Sequence, residues 1–142
     1  MWGVADEDLY TLALGQMDKI HAAGKPFFLH IITTSNHRPF TFLADRVNFP
    51  QHSRQGAVAY TDWSIADFIT RAQDKPYFAD TVFVITADHE AASAGNASIP
   101  INRCHIPLWI YAPSHFKPQQ VNRLSSQIDI PPTLLSLLHF SY

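Results

Sequence analysis

Polar and apolar positions alternate along the chain in blocks of two kinds, one with helical spacing and one without a break. Asp6, Glu7 and Asp8 open the first block, and acids are favoured there by the positive end of a helix dipole. Leu9, Leu12, Ala13, Met17 and Ile20 follow at helical spacing, and Gly24 and Pro26 end the helix. Phe27 to Ile32 is then a continuous apolar run broken only by His30, which predicts a short strand covered on both faces. Residues 33–55 are polar and rich in Asn, His, Pro and Arg, so they read as a long loop, and such loops are often functional. Val58, Asp62, Ile65, Ala66 and Ile69 trace a second helix over roughly Gln55 to Ala72. Residues 74–80 form a turn, Thr81 to Thr86 a second buried strand, and residues 87–104 another polar loop. Ile106 to Ala112 is a third strand, with Pro107 near its start, where a missing ladder donor is tolerated. After an irregular stretch, Pro131 and Pro132 suit the first turn of a last helix reaching Leu138.

Helices interleaved with buried apolar strands predict an α/β architecture with a largely parallel sheet flanked by helices. In such sheets ligands bind beyond the carboxyl ends of the strands. The loops after Ile32 and after Thr86 both leave strand carboxyl ends and are expected to face one crevice.

Composition narrows the possibilities. Apolar residues make up 46% of the 142 residues and charged ones 15%, so the chain can bury a core and is not a disordered segment. The formal net charge is −2 and the basic residues are scattered, which argues against nucleic acid as a partner. The single Cys104 excludes an internal disulfide and a cysteine-rich metal site. No apolar run is long enough to span a bilayer, and the first residues lack the pattern of a signal peptide. The helix entry at Asp6 and the apolar end over residues 134–142 lead to the expectation that this is one portion of a larger domain.

The strongest chemical signal is Asp88-His89, at the end of the second strand. A carboxylate and an imidazole side by side can turn towards one cation, and an oxygen–nitrogen pair suits zinc or manganese, with magnesium or calcium as further options. The competing reading is that Asp88 caps the following turn and His89 is an ordinary surface histidine.

Val84-Ile-Thr-Ala-Asp88-His89-Glu90 resembles the metal-binding segment of the alkaline phosphatase and sulfatase superfamily. The segment Phe27-Phe-Leu-His-Ile-Ile-Thr-Thr-Ser-Asn36-His37-Arg38-Pro39-Phe40 is similar to that of lipoteichoic acid synthase-like phosphoglycerol transferases, which ends in Asn-His-x-Pro-Phe. Trp2 to Asp8, Ala59 to Asp62, Ile106 to Ile110 and Ile128 to Leu135 resemble further segments of that group in the same order, so the likeness covers nearly the whole chain. The resemblance implies a three-layer α/β/α fold, of which residues 1–142 are the C-terminal portion of the catalytic domain. It implies that Asp88 and His89 are metal ligands and that His37 contacts the phosphate or alcohol part of the substrate. His105, ahead of the third strand, is a further candidate substrate residue. Glu90 stands where sulfatases carry Gly and either binds metal or caps a turn, while Asp62 and Asp129 look structural.

The resemblance also implies a substrate that is a phosphate or sulfate ester, on a lipid or a glycan, and work on the periplasmic or outer face of a membrane. In the family a Thr, Ser or modified Cys attacks phosphorus or sulfur beside the metal. No such nucleophile segment is present in these residues, and Thr33, Thr34 and Ser35 belong to the Asn-His segment. The chain alone is therefore expected to be inactive. The alternative is a non-catalytic binding or assembly module that retains the fold. Self-association is a further expectation, because part of a domain exposes apolar surface.

Overall fold

The structure is a computed structural model that describes residues 3–90 and 104–141. Helix α1 spans Asp6–Ala22 and helix α2 spans Arg54–Gln73. Strand β1 covers Phe83–Thr86, strand β2 covers Leu108–Tyr111, and helix α3 covers Ile130–Leu137.

The two long helices pack against each other, but the buried stripes sit beside those read from the sequence. In α1 the buried apolar residues are Tyr10, Ala13, Leu14 and Met17, whereas Leu12 is 61% exposed. In α2 they are Ala57, Tyr60, Phe68 and Ala72, joined by Ser64, and Val58 lies at the surface. The inward face of α2 alternates small residues with aromatic rings. Ala57, Ser64 and Ala72 are completely covered, and Tyr60 and Phe68 stand between them as the bulky buried positions. Ser53 caps α2 by accepting from the Gly56 N–H at 3.2 Å.

Aromatic contacts tie the helices to the strands. Tyr10 of α1 stacks on Phe68 of α2 with centroids 4.6 Å apart, and Phe68 meets Phe83 of β1 edge-on at 5.9 Å. Such ring pairs add roughly 0.5–1.5 kcal/mol beyond the area they bury. A smaller cluster of Phe42, Ala57 and Tyr60 fastens the long loop onto α2.

The expected largely parallel sheet is not confirmed by the described residues, which form no parallel pair. Among the described residues the sheet has two strands, β1 and β2, and they run antiparallel with Phe83 opposite Tyr111 and Thr86 opposite Leu108. An apolar run shows that a strand is buried but carries no information about its direction.

The expected strand at Phe27 to Ile32 is not part of that ladder. Phe27, Leu29 and Ile31 pack against the core around Tyr77 and Phe83. Phe28 and Ile32 point the other way and are 88% and 71% exposed. The alternation is that of a strand, but one of the two faces predicted to be covered is open. Helix α3 has no buried residue, and Trp109 of β2 and Ile128 also face outward.

Candidate metal and phosphate site

The carboxyl end of β1 delivers the chain from Thr86 into the turn that carries Asp88 and His89. The Asp88 Oδ1 accepts from the His89 N–H at 2.9 Å, so this carboxylate does cap its own turn. Its other oxygen, Oδ2, stands 3.5 Å from His89 Nε2. On the far side of the ring, Nδ1 lies 2.8 Å from the carbonyl oxygen of Glu90. A carbonyl only accepts, so Nδ1 carries the proton in that bond, and Nε2 of the neutral ring presents a lone pair. Two lone-pair atoms then face each other, an arrangement that a cation between them satisfies, whether proton or metal. The oxygen–nitrogen donor set and the tautomer fixed by a carbonyl both fit a divalent metal. Both side chains are well exposed, at 88% for Asp88 and 63% for His89. Among the described residues no group of three or more His, Cys, Asp and Glu side chains is arranged to hold a metal, so the pair alone would hold one weakly.

Two contacts steady this turn from outside. The Thr86 hydroxyl donates to the carbonyl of Pro107 at 2.9 Å, which locks β1 to the entry of β2. The Gln127 side-chain amide donates to the carbonyls of Ala87 at 3.0 Å and of Asp88 at 3.1 Å. Gln127 sits in a 3₁₀ turn at Gln127–Asp129, closed by a reciprocal cap in which the Ser126 N–H donates to Asp129 at 2.8 Å. Asp129 is thus the structural residue the sequence indicated. Gln127 was missed, because an isolated glutamine in an irregular stretch carries no signal of its own.

The antiparallel register changes the standing of His105. Since Thr86 pairs with Leu108, the chain just before β2 lies at the same end of the sheet as the chain just after β1. His105 and the Asp88-His89 pair therefore share one sheet end, and His105 is exposed there. His37 is held by different supports. Its N–H donates to the Thr34 carbonyl at 2.9 Å, and its Nδ1 lies 2.8 Å from the carbonyl of Arg38. Phe40 then returns a bond to the His37 carbonyl at 2.8 Å. By the argument used for His89, the proton of the neutral His37 ring sits on Nδ1. Glu90 contributes its carbonyl to the His89 ring.

Comparison with known proteins bears on the chain as a whole. The model of the Sulfatase family matches residues 1–140, and the chain belongs to that family. Its relatives include the Phosphoglycerol transferase I of Xanthomonas axonopodis pv. citri (strain 306), 28% identical over 145 residues that take in 96% of this chain and 21% of that protein. The Phosphoglycerol transferase I of Salmonella paratyphi B (strain ATCC BAA-1250 / SPB7) is 29% identical over 97 residues, 63% of this chain and 13% of that protein. Among solved structures, a protein in the alkaline phosphatase superfamily from Vibrio parahaemolyticus superimposes with a TM-score of 0.90 and 35% identity over 98% of this chain and 35% of that one. The α/β fold and the kinship with phosphoglycerol transferases stand on these matches. The chain spans about a fifth of the length of the Xanthomonas relative.

Proposed function

We propose that residues 1–142 are the C-terminal portion of the catalytic domain of a metal-dependent phosphoglycerol transferase or ester hydrolase. The observation that carries this reading is the opposition of Asp88 Oδ2 and His89 Nε2 at a strand's carboxyl end. In this reading Asp88 and His89 are metal ligands, with manganese or zinc the best match to a carboxylate–imidazole pair. The bound metal would supply positive charge to a transferring phosphoryl or sulfuryl group. His105, at the same sheet end, and His37, on its own turn, would donate to the ester's oxygens or pass a proton to the leaving group. The substrate is a phosphate or sulfate ester carried by an envelope lipid or glycan, on the periplasmic face of a membrane. No helix of the described residues is long and apolar enough to cross a membrane.

The same reading makes the chain inactive by itself, since Asp88 and His89 are two ligands without a nucleophile segment. It also makes the open apolar faces around Phe28, Ile32 and Trp109 association surfaces, for further domain or for a second copy. A second reading, a binding module that kept the fold without the chemistry, is favoured by the lack of a third ligand among the described residues.

Phosphodiester turnover by the purified chain with manganese, read beside NMR of the histidine rings during titration with inorganic phosphate, tests the proposal. No turnover and phosphate-dependent shifts at His37 and His105 are expected. Turnover abolished by Asp88→Ala overturns the inactivity claim, and silence of both rings favours the module.

A further inference from the structure

Asp6 is a fully buried acid in the first turn of α1, yet its side chain serves no amide of that helix. Ala5 is the N-cap and offers no side-chain cap. Instead the Asp6 Oδ1 accepts from the main-chain N–H groups of Thr34 at 3.2 Å and Ser35 at 3.0 Å. Its Oδ2 accepts from the Thr61 hydroxyl of α2 at 3.1 Å. The Asp6 N–H in turn donates to Ser35 Oγ at 3.2 Å. These bonds join residues 28, 29 and 55 positions apart, so one carboxylate fastens α1, α2 and the start of the His37 turn together.

We propose that Asp6 is the positioning residue of His37. Thr34, whose N–H is held by Asp6, is the residue whose carbonyl receives the His37 N–H at 2.9 Å. The turn is thus anchored at the point from which the imidazole is suspended. The segment before Asp6 lies against the same residue. Gly3 has φ +79°, and a Cβ there would lie 2.6 Å from Thr34 Oγ1, so the chain passes too close for a side chain. A carboxylate suits the task because N–H bonds to a charged acceptor are roughly twice as strong as neutral ones. A buried carboxylate needs hydrogen-bond donors, and here both oxygens have them, two on Oδ1 and one on Oδ2. The sequence disguised the role, since an acid beside Glu7 and Asp8 reads as a helix-dipole residue.

The role of Asp6 rests on the reading of His37 as a substrate contact, but its anchoring effect is measurable without substrate. In the 142-residue chain, Asp6→Asn keeps an acceptor for the two amides and loses the charge, whereas Asp6→Ala loses both. Ser35→Ala and Thr61→Val each remove one partner and keep the fold testable should Asp6→Ala fail to fold. Amide exchange at Ser35 is expected to quicken by about tenfold or more in Asp6→Ala, the effect of roughly 1.4 kcal/mol. The His37 ring and amide signals are expected to shift or broaden, least in Asp6→Asn, while those of His21 at the far end of α1 stay in place. Unchanged His37 signals across Asp6→Asn, Ser35→Ala and Thr61→Val overturn the proposal, as do equal shifts at His37 and His21. Failure of inorganic phosphate to perturb His37 in the unmodified chain counts against the substrate reading and leaves the anchoring result standing.

Discussion

The side-chain amide of Gln127 donates to the carbonyl of Asp88 at 3.1 Å, holding the metal-binding candidate from 39 residues away. The same amide reaches the Ala87 carbonyl at 3.0 Å, so both bonds come from one –NH₂ group. Outer partners of this kind set the orientation of a ligand and typically matter 10–100-fold in metal affinity, by order of magnitude. Gln127→Ala is expected to weaken manganese binding by about tenfold with little change in melting temperature, since Gln127 is exposed. Gln127→Glu places a carboxylate against two carbonyl oxygens and is expected to weaken it at least as much. Calorimetric titration of the three proteins checks this, and equal affinities would remove Gln127 from the site.

Gly56 sets two opposing effects against each other. Replacing a helical glycine with alanine ordinarily stabilises by about 1 kcal/mol. At Gly56 a new Cβ would lie 2.5 Å from Phe42 Cζ and 2.8 Å from the capping Ser53 Oγ. Overpacking a buried ring typically costs roughly 1–3 kcal/mol, and the disturbed cap adds to it. Gly56→Ala is therefore expected to destabilise, which denaturant unfolding measures directly. A stabilised variant would mean that Phe42 swings aside without loss.

Tyr10 links the core to alkaline stability. Burial, and after it the charge of Asp6, pushes its phenol up to about 12 from the usual 10.0. The folded state then holds the proton more tightly than the unfolded one. The contribution is complete below pH 10 and is lost as pH rises towards 12, on the order of 2 kcal/mol. Tyrosinate absorbance should rise together with unfolding in this window, and Tyr10→Phe should push the alkaline transition upward. Tyrosinate appearing well before any loss of structure would contradict the assignment.

Asp18 acts at the other end of the pH scale. Hydrogen bonds from Lys75 at 2.7 Å and Tyr77 at 2.9 Å hold its carboxyl below the usual range. A lowered carboxylate stabilises above its unfolded value of 3.8 and loses that contribution as pH falls through the folded one. Asp18→Asn is expected to flatten the acid limb of the stability curve below pH 4, as followed by circular dichroism. An unaltered acid limb would show that the bonds to Lys75 and Tyr77 contribute nothing in solution.

The helices and the Asp88-His89 turn were legible because each has a local cause. Acids open α1, Gly24 and Pro26 close it, and the apolar run ending at Thr86 places the pair at a strand end. Strand direction was not legible, because Phe83 and Tyr111 face each other only through partners far apart in the chain. The covered stripes shifted for a similar reason: Ala57 and Ser64 are fully buried although neither is strongly apolar, so hydropathy does not mark them. Asp6 and Gln127 escaped because their work is done across 28 to 55 residues, by single side chains without a motif.

Manganese added in small amounts to the labelled chain tests the central assignment most directly, because its paramagnetism broadens the signals nearest to it. Selective broadening at Asp88 and His89, saturable at one ion per chain and abolished by Asp88→Ala and by His89→Ala, is the expected result. Broadening centred elsewhere, or unchanged in both variants, would contradict a metal site at the end of β1.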